Sequence, residues 1–290
     1  MLAPIEIDGE NFLRQHCTLP ALPEVVHKIQ KMMYDENIDL DQVSELVSSD
    51  PALVAQALKV VNSAYYGIPR EIIKVRVAIA LLGLNEVYRM ILALSVINTL
   101  SVNEKKELDK FWYHSFYTAL CTKYLAKKYE PLLSFEELWS GSILHDIGKL
   151  VYLKFFPEHF KTLTKFSNEH GTLFSEAESH FLLPSSAYMG SLLCDHWRLP
   201  NQVKLACEFH RLEDLAKNNG NTVVESFIRV ICLGNLLTIL STEDLNNHTK
   251  QEIAEKTRKL LNCSEESFLA IMGDIYELKN EVEGFMANFG

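Results

Sequence analysis

The residues most able to do chemistry are the adjacent His and Asp of the run Leu144-His145-Asp146, with His114 about one helix upstream. Adjacent positions on a helix lie about 100° apart around its axis, so an imidazole and a shorter carboxylate can lean toward one divalent ion. Such an ion lowers the pKa of bound water toward about 7, and the usual chemistry is hydrolysis. The dyad is therefore a candidate metal site.

A bare His-Asp pair arises readily by chance and is more often a surface or capping arrangement than a pair of ligands. The surrounding sequence favours the metal interpretation. Ser134 and Glu137 form a capping box for the helix predicted to carry the dyad. The apolar stripe of that helix keeps i, i+3, i+7 spacing and consists of Leu144, Ile147, Val151 and Phe155. The dyad is therefore expected to border a core face.

The composition limits the class of protein. A chain of 290 residues, 48% hydrophobic, can bury a large core as one large domain or two smaller ones. Its 38 acidic and 28 basic residues give a formal net charge of -10, which repels polyphosphate. We therefore expect no nucleic-acid partner.

Cysteine usage and hydropathy indicate a cytoplasmic protein. The six cysteines have no CxxC spacing and mostly lie in apolar helical stretches, which predicts reduced thiols. No basic region precedes the short apolar start of the chain, and Glu6 and Asp8 follow at once, so a signal peptide is not predicted. The longest apolar runs, around 90–95 and 230–240, are too short or too interrupted to cross a bilayer, so no membrane partner is expected.

Nearly every segment between breakers shows helical spacing, so the sequence predicts an all-α fold with two helical lobes. The polar run 103–106 marks a lobe boundary. We predict an N-terminal lobe over residues 1–105, a second lobe over 106–245, and C-terminal helices over 246–290 packed on the second lobe. Those last helices could also bind a partner or dimerise, and packing is the favoured role.

One segment is ambiguous between strand and helix. From Ile73 to Leu81, apolar residues alternate with others, which taken alone favours a half-buried strand. An isolated strand would leave its backbone groups unpaired, and no partner strand is evident nearby. We therefore predict a helix.

Several motifs coincide in order, and together they resemble the HDOD domain, a relative of metal-dependent HD phosphohydrolases found as an output module in bacterial signalling. In the first lobe the matching runs are Leu19-Pro20-Ala21-Leu22-Pro23, Ser49-Asp50-Pro51-Ala52-Leu53, Val61-Asn62-Ser63-Ala64-Tyr65-Tyr66-Gly67 and Ala78-Ile79-Ala80-Leu81-Leu82-Gly83. In the second lobe they are Trp112-Tyr113-His114-Ser115, Gly141-Ser142-Ile143-Leu144-His145-Asp146-Ile147-Gly148-Lys149 and Asp195-His196-Trp197-Arg198-Leu199-Pro200. The resemblance implies that the second lobe is an HD-like helical bundle, and that the work is regulatory rather than turnover.

The resemblance also assigns possible ligands. A complete mononuclear HD site has a His, a later His-Asp dyad and a final Asp on a downstream helix. His114, His145 and Asp146 match the first three, whereas Asn235 stands where the final Asp is expected. A neutral amide oxygen is a weaker donor than a carboxylate, so Asn235 is interpreted as a lost-ligand position.

Dinuclear relatives, the HD-GYP cyclic-dinucleotide phosphodiesterases, add His ligands from two further helices. Ser186 stands where one of these would be and is a second lost-ligand position, while His210-Arg211 keeps only the first member of a His-His pair. No Gly-Tyr-Pro follows in the segment 212–215. Cyclic-dinucleotide hydrolysis is therefore not expected.

Four possible ligands remain, and three interpretations stay open for His114, His145, Asp146 and His210. They can form a buried cluster of hydrogen-bonded polar groups, a residual site for one divalent ion (Fe, Mn, Zn or Mg), or a working hydrolase site. No catalytic residue and no site for an organic cofactor is assigned.

We expect a non-catalytic signal-transduction module that acts by binding another signalling protein or a small ligand. The alternative is a metal-dependent phosphohydrolase with a reduced HD site, in which His210 substitutes for a lost ligand. The sequence identifies no particular partner and leaves the oligomeric state open.

Overall fold

The structure is a computed structural model that describes residue 5 and residues 19–33, 39–217 and 222–289 of the chain. Its α-helices are, in order, α1 (Glu24–Met32), α2 (Leu40–Ser48), α3 (Pro51–Val61), α4 (Val75–Leu82), α5 (Leu84–Leu100), α6 (Lys105–Tyr129), α7 (Phe135–Leu144), α8 (Ile147–Phe155), α9 (Pro157–His170), α10 (Phe174–His180), α11 (Ser186–His196), α12 (Asn201–Glu208), α13 (Val223–Thr242), α14 (Asn247–Leu261) and α15 (Glu265–Phe289). A 3₁₀ helix covers Leu212–Lys217. The described residues contain no strand, which confirms the predicted all-α fold.

The chain divides into two compact units. One contains Val102–Lys279, and the other contains Pro20–Ser101 together with the end of the chain from Asn280. The predicted three-part division at residues 105 and 245 remains a prediction.

Helices α1 to α5 form the core of the unit that contains Pro20–Ser101, with α5 packed against α1, α3 and α4. The start of α3 follows local rules: the Asp50 side chain accepts a hydrogen bond from the Leu53 backbone N–H (3.0 Å), and Pro51 occupies the first turn. The middle of α5 is buried on every side, including Met90, Ile91 and Leu94. The buried face of α3 supplies Leu53, Ala57, Val60 and Val61.

Helix α4 accounts for the ambiguous segment. The helix prediction is confirmed from Val75 to Leu82, and its buried face carries Val75, Ala78 and Ile79. The opposite side is also apolar, because Val77 and Leu81 are 40% and 58% exposed, and Ile73, which precedes the helix, is 70% exposed. Apolar residues on both faces of a short helix produce the alternation that resembles a strand.

The unit that contains Val102–Lys279 is built around α13. This helix packs on α6, α7, α12 and α14, and most of its residues are buried. Among the described residues, Val223–Thr242 is the one helix long and apolar enough to cross a membrane by length and composition, and 72% of its apolar window is buried inside the protein. That burial is typical of a core helix.

The chain breaks its helix at the dyad. A single helix through His145 and Asp146 was predicted and is wrong, because α7 ends at Leu144 and α8 begins at Ile147. Close packing of α8 on α11 requires a residue without a side chain here: a Cβ on Gly148 would lie 1.8 Å from the Ser186 carbonyl oxygen. The break turns α8 against α11 and leaves the dyad at the junction of two helices.

Candidate functional site

The site is assembled by four segments of the unit that contains Val102–Lys279. His114 lies on α6, the dyad lies between α7 and α8, His210 follows α12, and Asn235 lies on α13. Helix α6 packs on both α7 and α13, and α12 packs on α7. These contacts bring residues that are up to 121 positions apart in sequence to one point.

The four ligands predicted from sequence meet around the Asp146 carboxylate. His210 Nε2 lies 3.2 Å from Asp146 Oδ1, while His114 Nε2 and His145 Nε2 lie 3.5 and 3.6 Å from Asp146 Oδ2. His145, Asp146 and His210 are buried, and His114 is partly buried. The candidate ligand atoms of His114, His145 and Asp146 all lie within 4.8 Å of one another, so the cluster could hold a metal ion.

Asn235, the first lost-ligand position, lies inside this cluster. Its side-chain Nδ2 donates to the His210 carbonyl oxygen (2.9 Å), which fixes the direction of the amide. Its Oδ1 therefore faces the rings, 2.9 Å from His114 Nε2 and 3.3 Å from His145 Nε2. Compared with the aspartate expected at this position, Asn235 lacks a negative charge but still offers an oxygen atom that can bind a metal ion.

Backbone carbonyls determine the tautomers of two histidines. His145 Nδ1 donates to the Ser142 carbonyl oxygen (2.6 Å), and His210 Nδ1 donates to that of Cys207 (2.9 Å). Because a carbonyl oxygen can only accept, each Nδ1 carries a proton, and in the neutral form of either ring the lone pair of Nε2 points into the cluster. Histidines that bind metals usually donate the N–H of their other ring nitrogen to a carbonyl or carboxylate oxygen in this way.

The cluster consequently contains more acceptors than protons. The Nε2 lone pair of His145 faces Asn235 Oδ1, and His210 Nε2 lies 3.2 Å from Asp146 Oδ1, an oxygen that has no assigned hydrogen-bond partner among the described residues. A proton on His114 Nε2 can serve one of these contacts at most. Lone pairs that face one another in a buried site repel, and a cation between them removes the repulsion. The residues present therefore fit a divalent ion.

The pKa values agree with this charge distribution. Burial lowers the pKa of His114 to about 4 and that of His145 to about 3, so both rings are neutral at pH 7. Burial acts to raise the pKa of Asp146, but Lys149 and His145 outweigh it and hold that pKa well below its ordinary value. Neutral imidazoles and an ionised carboxylate are the forms that bind metal ions.

Lys149 and a small cavity complete the site. The Lys149 ammonium forms an ion pair with Asp146 Oδ2 (2.7 Å), and its side chain is 25% exposed. The cavity beside this pair has a volume of about 30 Å³, and its lining includes Ser186, His210 and Asn235. The second lost-ligand position, Ser186, therefore lies at the cavity and not among the atoms around Asp146.

Sequence reasoning missed one buried acid near the site. The Glu178 Oε1 accepts a hydrogen bond from the Ser186 backbone N–H (2.8 Å) at the start of α11, and burial raises the pKa of this carboxyl to about 7. No spacing rule links Glu178 to the dyad. Its place near the site is revealed only by the hydrogen bond that joins Glu178 of α10 to the start of α11.

The chain matches the sequence profile of the HDOD domain over residues 19–212. It therefore belongs to the HDOD domain family. It is also 25% identical over 192 residues to an uncharacterized protein of Treponema pallidum (strain Nichols). The matched segment is 66% of this chain and 37% of that protein, so the chain spans little more than a third of this relative's length.

Solved structures share the fold. A protein of Shewanella amazonensis SB2B, provisionally named a phosphohydrolase, is 20% identical with a TM-score of 0.70, covering 98% of this chain and 99% of its own. An HDOD domain protein of unknown function from Geobacter sulfurreducens is 20% identical with a TM-score of 0.63, covering 96% and 94% of the two chains. At these identities the likeness establishes the fold and not the activity.

Proposed function

We propose that this chain is a regulatory HDOD module that binds one divalent metal ion at His114, His145, Asp146, His210 and Asn235, without turnover of a substrate. One observation carries the proposal: the Nε2 atoms of three imidazoles, the Asn235 amide oxygen and the Asp146 carboxylate converge with too few protons between them. Metal occupancy would then alter how the module binds a partner.

The donor set favours particular metals. Three imidazole nitrogens with one carboxylate and one amide oxygen suit Fe²⁺, Mn²⁺ or Zn²⁺ better than Mg²⁺, which prefers oxygen ligands and retains water. When bound, such an ion supplies a Lewis acid that lowers the pKa of coordinated water. The protein contributes the fixed tautomers of His145 and His210 and a fixed Asn235 oxygen.

The surroundings oppose turnover. A cavity of about 30 Å³ is an order of magnitude smaller than the roughly 300–1,000 Å³ of typical ligand sites. Asp146 provides the one carboxylate around the imidazoles, and Lys149 already shares it. A phosphoester therefore has neither space nor sufficient negative charge behind the ion.

The rival function is a metal-dependent phosphohydrolase with a reduced site. Its support is the position of His210, which lies 3.2 Å from Asp146 and could substitute for a lost ligand. The provisional name of the Shewanella relative points the same way.

The proposal extends to partner and location. The partner would be another signalling protein, and no nucleic acid is expected to bind. A cytoplasmic location fits the free thiols Cys121, Cys194, Cys207 and Cys232, since disulfides are rare in that compartment.

Metal analysis of protein purified without chelator, followed by calorimetric titration with Mn²⁺, Fe²⁺ and Zn²⁺, tests the proposal. We expect one ion per chain, no binding by a His145→Ala, Asp146→Ala double variant, and unchanged binding by the control His248→Ala, an exposed histidine of the same unit. Phosphoester and nucleotide panels should show no turnover above the double variant. Absence of binding contradicts the proposal, and metal-dependent turnover supports the phosphohydrolase.

A further inference from the structure

Two buried thiols lie next to each other beside the metal site. Cys194 in the last turn of α11 and Cys207 in α12 have their Sγ atoms 3.7 Å apart, and they are 1% and 0% exposed. Gly190, one turn before Cys194, allows this approach, because a Cβ on Gly190 would lie 3.3 Å from the Cβ of Cys207. No other pair of thiols within hydrogen-bonding distance occurs in the described part of the chain.

Cys207 also contacts two of the four segments that carry the proposed metal ligands. Its Sγ donates to the carbonyl oxygen of Leu144, the residue before His145, at 3.2 Å. Its carbonyl oxygen accepts from His210 Nδ1 at 2.9 Å, which is the bond that sets the His210 tautomer. A displacement of Cys207 therefore disturbs the positions of both His145 and His210.

We infer that hydrogen peroxide slowly oxidises the Cys194 and Cys207 thiols to a disulfide, and that this disulfide weakens the metal site by displacing Cys207 from Leu144 and His210. The effect on metal binding rests on the proposed function; the formation of the disulfide does not. The oxidant is hydrogen peroxide, and a dithiol reverses the reaction.

The reaction balances in two steps. One thiolate attacks a peroxide oxygen, which forms an S–OH group and, after proton transfer, releases water. The neighbouring thiol then attacks the sulfur of that group, which forms the S–S bond and expels the hydroxyl as a second water. The two thiols lose two protons and two electrons in total, and one peroxide becomes two waters.

The geometry requires movement. A disulfide has an S–S length of about 2.05 Å, so sulfur atoms 3.7 Å apart have to approach by about 1.6 Å. That shift draws Cys207 Sγ away from Leu144 O, where the present distance is 3.2 Å. The hydrogen bond with Cys194 and burial also raise the pKa of Cys207, so oxidation proceeds slowly through local opening of α11 and α12.

Opening of this helix pair has an identifiable weak point. Arg198, in the connection between α11 and α12, has a backbone φ of 52°, a left-handed conformation that is unfavourable for a residue with a side chain. A bound metal ion would hold His145 and His210 in place and oppose the opening. Metal binding and disulfide formation are therefore mutually antagonistic.

The first experiment treats the full, folded protein with hydrogen peroxide and maps thiols and disulfides by mass spectrometry under non-reducing conditions. We expect a Cys194–Cys207 cross-link that is reversed by dithiothreitol and is absent from Cys194→Ser. The matched control is Cys232→Ser, which removes an equally buried thiol that donates to the Arg211 carbonyl oxygen and has no thiol neighbour; it should still form the cross-link.

Partly exposed Cys263 reports whether the oxidant has reached the protein. If Cys263 is oxidised while Cys194 and Cys207 stay reduced, or if the cross-link forms only in denaturant, the inference is wrong. Folding of Cys194→Ser is checked by circular dichroism, and the result on the unaltered protein decides the question even if that variant does not fold.

The second experiment measures coupling. Saturating Mn²⁺ should slow cross-linking, and the oxidised protein should bind Mn²⁺ about tenfold more weakly, the scale of effect that loss of an outer-shell contact has on metal affinity. Equal rates and equal affinities would refute the coupling. A reduced protein that does not bind Mn²⁺ refutes the proposed function and this coupling with it, whereas the cross-link itself is judged separately.

Discussion

His114 and His145 are held neutral at pH 7 by their surroundings, and this governs the response of the protein to acid. His114 and His145 have pKa values of about 4 and about 3 in the folded chain, against an ordinary value of 6.5. The unfolded chain therefore takes up protons first as the pH falls. The stability that the neutral rings provide is complete above about pH 6.5 and declines toward pH 4.

Between pH 7.5 and pH 5 we predict that each of these two histidines costs metal-free protein about 2 kcal/mol of unfolding free energy. Glu178 offsets about 2 kcal/mol of this loss, because its pKa is raised to about 7 and the folded chain therefore takes up that proton first. Asp146 acts at lower pH: its pKa is lowered, so its contribution is present above its ordinary value and is lost as the pH falls through its folded value. Urea denaturation at the two pH values measures the change. His145→Gln should lose about 2 kcal/mol less than the natural chain over this interval, and an equal change in the variant and the natural chain would contradict the prediction.

Asn235 offers a direct test of charge at the metal site. Asn235→Asp would add a second carboxylate next to His114 and His145, so we predict that Mn²⁺ affinity rises by at least about tenfold. Asn235→Leu, which has similar volume and no donor, should lower it. Calorimetric titration measures both, and equal affinity in Asn235→Asp and the natural chain would show that the amide oxygen does not face the ion.

How much of the site can be predicted from sequence depends on the kind of information required. His114, His145, Asp146 and His210 were all predicted, because motif order identifies residues whose spacing in the chain is regular within the family. The direction of the Asn235 amide depends on the His210 carbonyl, and the Cys194–Cys207 approach depends on helix packing at Gly190. Neither depends on a local pattern, so neither was predicted.

At the scale of elements, the contact between α8 and α11 is the most sensitive to a single atom. Gly148→Ala would place a Cβ 1.8 Å from the Ser186 carbonyl oxygen. Because that oxygen belongs to the backbone, the backbone of one of the two helices has to move. We predict a loss of at least about 3 kcal/mol in unfolding free energy. Gly273→Ala on α15 is the matched control: a Cβ there meets nothing within 4 Å, so the variant should gain about 0.5–1 kcal/mol.

Helix α4 allows a test of periodicity. A strand would place Val77, Ile79 and Leu81 on one face, whereas the helix buries Ile79 at 2% exposed and leaves Leu81 at 58%. We predict that Ile79→Ala costs about 2–5 kcal/mol and that Leu81→Ser changes stability by less than about 0.5 kcal/mol. Equal losses in urea denaturation would favour the strand interpretation.

Helices were predictable where one rule dominates. The start of α3 follows from Asp50 and Pro51 alone, since a cap and a first-turn proline are local. The break between α7 and α8 was not predictable, because the apolar stripe through Leu144 and Ile147 continues across it. The packing of Gly148 against α11 breaks the helix although the apolar stripe continues. The spacing of apolar residues in a sequence does not reveal such a tertiary contact.

At the scale of the whole molecule, all proposed metal ligands come from the unit that contains Val102–Lys279. A change in the core of the other unit should therefore leave metal affinity alone. We predict that Leu53→Ala, at a position 3% exposed, lowers stability by about 2–5 kcal/mol and changes Mn²⁺ affinity by less than about twofold. Titration at low temperature measures the affinity, and a tenfold loss would show that the units are energetically coupled.

The ion pair between Lys149 and Asp146 has one more consequence. Because a cation of the protein itself stays next to the buried carboxylate, the site without the proposed metal ion does not hold an isolated negative charge in the interior. The empty and loaded forms can then both persist, unlike in small domains that collapse when their zinc is taken away. Such a protein can follow the supply of an ion in its surroundings, and the fraction of molecules filled becomes a signal in its own right.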